Sequence, residues 1–136
     1  MSFAQNLSYS AIQVVHNFGA VATVGGSLIA TQLREKAARR KLAYLALGGW
    51  LTQAVSGASF GMVSYLYYHQ FPEISGIAIY ALGVKMTCAT LGIALSAFYI
   101  WRCAGWTEMS RNRAWISSSV LAITAISAAA FLRWFA

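Results

Sequence analysis

The stretch Ile77–Trp101, IAIYALGVKMTCATLGIALSAFYIW, is interrupted by a single formal charge, Lys85. About 20 consecutive apolar residues are enough to cross a hydrocarbon core of roughly 30 Å. In lipid the backbone has no water to bond, so a span of this kind must be a helix or part of a closed barrel. The length and composition predict a transmembrane helix. Lys85 then lies about 12 Å from its start at 1.5 Å per residue. A lysine at such a depth costs on the order of 2.5–3.5 kcal/mol on insertion scales. A carboxylate would relieve that cost, but the only acids in the chain are Glu35, Glu73 and Glu108, outside the apolar segments.

Three further apolar segments accompany it. The pattern predicts helices over 11–31, 42–68, 77–101 and 114–134 in one membrane domain spanning residues 1–136. The predicted fold class is all-α, a polytopic four-helix membrane bundle. Only 10% of the residues are charged and 59% are hydrophobic, against about 25% charged in soluble domains. The net charge of +7 would suggest a polyanionic partner if it were spread out. Instead Arg34, Lys36, Arg39, Arg40 and Lys41 crowd residues 32–41, and Arg102, Arg111 and Arg113 crowd 102–113. This is a topology signal, not a nucleic-acid surface. The opposite side offers only Arg133, the uncharged segment MSFAQNLSYS and the turn HQFPEISG. The positive-inside rule puts both basic loops in the cytoplasm and both termini outside, in the cell (inner) membrane. A first segment without positive side chains also argues against a cleaved signal peptide. Trp101, Trp106 and Trp115 would mark the inner interface, and Tyr65, Tyr67, Tyr68, Phe71 and Trp134 the outer one.

Each helix carries a small or polar stripe. Helix 1 has Gln13, His16, Asn17, Ala20, Thr23 and Ser27, helix 2 has Gly49, Gln53, Gly57 and Gly61 flanked by Ser56 and Ser64, helix 3 has Lys85, Cys88, Gly92 and Ser96, and helix 4 has Ser117, Thr124 and Ser127. Such stripes are expected to face neighbouring helices. Cys88 and Cys103 are too few for a zinc site or a disulfide framework.

The predicted topology gathers His16, Asn17, His69, Lys85 and Arg133 in the outer half. Each has a structural reading: His16 as a neutral core imidazole, His69 as a solvated interfacial side chain, and Lys85 snorkelling outward along its reach of about 6 Å. The functional reading is electrostatic, because a buried cation without a protein anion loses its proton or recruits an external anion. A haem propionate or a lipid phosphate is such an anion, and a neutral imidazole at His16 can ligate iron. Helix bundles with inward histidines hold b-type haem. His16 lies about 7–14 Å along its helix, so it shares a layer with Lys85.

HNFGAVATVGG, from His16 to Gly26, resembles the first helix of the HemJ-type protoporphyrinogen oxidases and copper-resistance D-type membrane proteins, where a histidine precedes a small-residue run ending in glycine. LGVKMTCATLGIALSAFYIWR, from Leu82 to Arg102, resembles their third helix. The resemblance covers about a third of the chain and implies a haem bound at His16 and an essential Lys85. Thr23 stands where the HemJ type usually has tryptophan, and IATQL lacks its arginine, so the resemblance carries the scaffold and not the oxidase activity. Two other readings remain open at this stage. One is an accessory subunit docking to other membrane subunits or forming a homo-oligomer through its small-residue faces. The other is a copper-handling protein using His16, Met62, Met86 and Cys88, since soft ligands suit Cu(I).

Overall fold

A computed structural model describes residues 2–135. Four long helices, α1 (Phe3–Gln32), α2 (Lys36–Tyr68), α3 (Ile77–Arg102) and α4 (Glu108–Phe135), account for nearly all of them, with a 3-10 turn, Cys103–Gly105, between α3 and α4. By length and composition, α1, α3 with its 3-10 turn, and α4 can each cross a membrane. α2 is the longest at 33 residues but the most diluted, with Lys36, Arg39, Arg40 and Lys41 in its first turns and Gln53, Ser56, Ser59 and Ser64 beyond.

The helices overrun their apolar segments. α1 begins at Phe3 rather than near residue 11, α2 at Lys36 rather than 42, and α4 at Glu108 rather than 114. Hydropathy marks where lipid begins, whereas capping marks where a helix begins. The Ser2 hydroxyl accepts from the Gln5 amide at 3.2 Å, and the Thr107 hydroxyl accepts from the Ser110 amide at 3.2 Å. At the other end of α2, His69 adopts the left-handed conformation (φ 55°) and its amide closes on the Tyr65 carbonyl at 2.8 Å. Gly76, at φ 54° and ψ −127°, then turns the chain into α3.

Sequential helices are neighbours, and α4 closes the ring against α1. α1 and α3 therefore stand diagonally across the bundle. The core is built of small residues: Ala30, Ala43, Ala46, Ala78 and Ala122 are sealed, while Phe18, Val21, Val55, Leu66, Tyr80 and Phe131 face outward. This inversion of the soluble pattern is what helix association in lipid requires, since close backbone approach replaces hydrophobic burial as the driving force. The α1–α2 seam closes where Gly19 meets Gly49, and the α2–α3 seam where the Trp50 ring lies on Gly92.

Several stripes are corrected. Gln13 and Asn17 are exposed and bond each other at 2.7 Å instead of facing the bundle. In α4 the inward face is Ser118, Ser119, Ala122 and Ala125, while Ser117, Thr124 and Ser127 point out. The Ser127 hydroxyl is satisfied by the Ile123 carbonyl of its own helix, so it can face outward without a partner helix. Trp115 is no interfacial anchor: it is 3% exposed and packs on Tyr99 with ring centroids 5.1 Å apart.

The basic end holds an ion cluster. Arg39, 1% exposed, donates to the Ala30 carbonyl, to Glu108 Oε1 at 2.8 Å and to Asn112 Oδ1 at 2.5 Å. Arg111 is also buried, donates to the Cys103 carbonyl, and lies 3.5 Å from Glu108 Oε2. Two guanidinium groups thus share one carboxylate and tie the ends of α1, α2 and α4 together.

Candidate functional site

Midway along the bundle, one face of α2 grips one turn of α1. The gap left by the glycines lets Gln53 reach α1, where its amide donates to the His16 carbonyl. Ser56 lies three residues further, hence on the same face, and its hydroxyl meets His16 Nδ1 at 2.7 Å. Gly57 leaves the ring room, since even a Cβ there would approach only His16 Cε1, at 3.9 Å. Phe60 closes the site edge-on to the imidazole, with centroids 5.7 Å apart, and Tyr9 stacks on Phe60.

The remaining ring nitrogen faces across the bundle diagonal. His16 Nε2 lies 3.0 Å from Lys85 Nζ of α3. His16 and Lys85 therefore share a layer, and they touch. Lys85 does not run outward to the surface: it ends at the imidazole. Among the described residues no carboxylate pairs with it, since the ion pairs found are those of Glu108.

The hydrogen-bond directions follow from the partners. The Thr52 carbonyl beside Ser56 Oγ can only accept, so the hydroxyl donates to it. The single Ser56 proton is thus committed to Thr52, and Oγ accepts from Nδ1–H. Nε2 then keeps its lone pair on the side of Lys85 Nζ, 3.0 Å away. Lys85, His16, Ser56 and the Thr52 carbonyl thus form one continuous line of polar contacts. A shallow groove of about 510 Å³ between α1 and α2, lined by residues that include Ile12, Val15, Val55 and Ser59, also borders Ser56.

The other expected site residues lie elsewhere. Asn17 is exposed one residue along from His16 and is held by Gln13. His69 is the exposed C-cap of α2, and Arg133 is exposed in the last turn of α4. Met62 and Met86 face outward, 56% and 61% exposed, whereas His16 and Cys88 are buried. Among the described residues, no three His, Cys, Asp or Glu side chains come together as a metal-holding group.

The role of Ser56 was legible only in part, as a flank of the glycine stripe. Its spacing of three from Gln53 was the available signal. Arg39 gave none, being one of several arginines in a loop-like run. Comparison with protein-family models, with curated proteins and with solved structures gives no match to this chain.

Proposed function

We propose that this chain is a four-span membrane protein that binds a b-type haem or related porphyrin in the outer half of its bundle and serves electron transfer or membrane redox chemistry. The observation that carries the reading is the His16–Lys85 contact: a metal-competent imidazole nitrogen beside an ammonium group that has no carboxylate.

The donor set favours a metalloporphyrin over a bare ion. A structural or catalytic ion held by the protein alone needs three or four protein ligands, and no such group is present among the described residues. A porphyrin brings its own four nitrogens and needs only one or two axial groups. His16 suits that role because Ser56 anchors its other nitrogen, as an outer partner does for most metal-bound histidines. Lys85, on a flexible stem, suits an acidic side group of the same ligand. When bound, the iron would supply a one-electron centre, while His16 would hold it and Lys85 would neutralise a propionate.

The membrane placement is part of the proposal. α2 is taken as the fourth span because it shows the same inverted pattern as its neighbours: Ala43, Ala46 and Gly49 inside, Leu45, Leu51, Val55, Met62 and Leu66 outside. The basic end, 32–41 and 102–113, is assigned to the cytoplasm by the positive-inside rule, with both termini outside, in the cell (inner) membrane. Lipid surrounds the outward apolar face.

The test is the visible spectrum of the protein purified in detergent from haem-replete cells. A Soret band is expected in the wild type and its loss in His16→Ala. Lys85→Met, nearly isosteric, should insert at least as well yet retain less ligand because the anion loses its counter-charge. A colourless wild type with a fully functional Lys85→Met would refute the reading and favour a structural subunit.

A further inference from the structure

His16 is a usable ligand only if the correct nitrogen is free, and an isolated imidazole does not choose. Neutral histidine carries its proton on either nitrogen, and the partner of one nitrogen determines the other. Here the partner of Nδ1 is Ser56 and that of Nε2 is Lys85. The Ser56 hydroxyl proton is spent on the Thr52 carbonyl at 2.5 Å, so the oxygen can only accept from Nδ1–H at 2.7 Å. Both groups are buried, His16 at 9% and Ser56 at 4% exposure. Gln53 fixes the backbone of the same residue through the His16 carbonyl, and Phe60 limits rotation of the ring.

The geometry points to Ser56 as the positioning residue that locks His16 in its Nδ1–H tautomer and presents Nε2, lone pair outward, to Lys85 and to a ligand in that layer. Its use as a metal-facing atom rests on the haem reading; the tautomer itself does not. Ser56 touches neither metal nor ligand and acts through His16 alone. Gln53 holds the backbone and cannot select a ring nitrogen, which separates the two roles on one face of α2.

The test uses the full chain in detergent, wild type, Ser56→Ala and Ser56→Thr, with ¹⁵N-labelled histidine. The chain has two histidines, so His69→Asn assigns the signals. Side-chain ¹⁵N shifts of the haem-free protein should show a protonated Nδ1 and an unprotonated Nε2 at His16. Because an ammonium at Lys85 would itself hold Nε2 unprotonated, the comparison is made in a Lys85→Met background, where Ser56→Ala should give a mixture of tautomers or the Nε2–H form and Ser56→Thr, which keeps the hydroxyl, should retain Nδ1–H. Haem b titrated into the same samples should bind about 10- to 100-fold more weakly to Ser56→Ala, the usual effect of removing such an outer partner, with recovery in Ser56→Thr. A merely structural serine would move stability and leave the ¹⁵N pattern in place. A wild-type Nε2–H tautomer, or an Nδ1–H pattern that survives Ser56→Ala in the Lys85→Met background, overturns the inference. A wild type that shows Nδ1–H but binds no haem supports Ser56's role and overturns the haem reading alone.

Discussion

Gly49 and Gly57 lie on one face of α2, yet the same substitution should act on them with opposite signs. A Cβ at Gly49 would stand 2.9 Å from Thr23 Cγ2, 3.0 Å from Ala22 Cβ and 3.0 Å from the Gly19 carbonyl oxygen. Two of those three neighbours are backbone or the first side-chain carbon of α1, and neither can swing away. The helices must separate, which costs about 1–3 kcal/mol as overpacking does. The gain in helix propensity, about 0.5–1 kcal/mol, does not offset it. At Gly57 the nearest atom is His16 Cε1 at 3.9 Å, ordinary contact, so Gly57→Ala keeps the propensity gain of about 0.5–1 kcal/mol. The assay is reversible unfolding in mixed micelles, read as the detergent fraction at the midpoint by helical circular dichroism. Gly49→Ala should unfold earlier than wild type and Gly57→Ala at the same point or later. Equal losses at both positions, or no loss at Gly49, would mean that this face of α2 does not pack on α1.

Arg39→Gln removes the donors shared among the Ala30 carbonyl, Glu108 and Asn112, and leaving buried acceptors unpaired should cost about 1–3 kcal/mol in the same unfolding assay; Glu108→Gln, half-exposed and still able to accept from Arg39, should cost less. Ala37→Cys, in the exposed first turn of α2, should resist an impermeant thiol reagent in intact cells and react in inverted vesicles, and labelling from outside would reverse the assigned orientation. The native Cys88 and Cys103 are both buried free thiols, so neither should label in the folded protein.

Much of this fold was legible because lipid imposes few solutions. Four apolar segments and two basic loops point to the four helices seen, and the α2 glycine stripe packs closely on α1 at Gly49, whereas Gly57 and Gly61, expected to allow the close approach, meet only ordinary contact. Helix ends were less legible, since Ser2 and Thr107 act as caps inside polar segments that hydropathy treats as loop. The direction of α4 was misread by one residue: Ser117 was taken for Ser118, a turn of about 100° on a helix of 3.6 residues per turn. Its serine-rich run offers both faces a hydroxyl, and hydroxyls that bond their own helix carry no facing information. The layer shared by His16 and Lys85 was reached from the apolar segment bounds, although α1 itself begins at Phe3, and the contact between the two side chains was not foreseen. α1 and α3 are diagonal, and contact needs a centre kept open by small residues, which depth along an axis cannot reveal.

Two levels of the bundle treat buried cations differently, and the difference isolates Lys85. At the basic end Arg39 and Arg111 converge on Glu108, which neutralises one of the two charges, and each also donates to a backbone carbonyl. Guanidinium forks suit such fixed multi-point bonding. Midway along the bundle the chain sets a lysine, a point charge on a flexible stem, against a neutral ring nitrogen. A hydrogen bond to imidazole satisfies one of three ammonium donors and none of its charge. If the lysine served packing alone, methionine would fill the same volume without the insertion cost of about 2.5–3.5 kcal/mol. Under the proposed function an anion the chain does not contain would offset that cost, and His16 Nε2, now 3.0 Å from Lys85 Nζ, would turn to the same ligand.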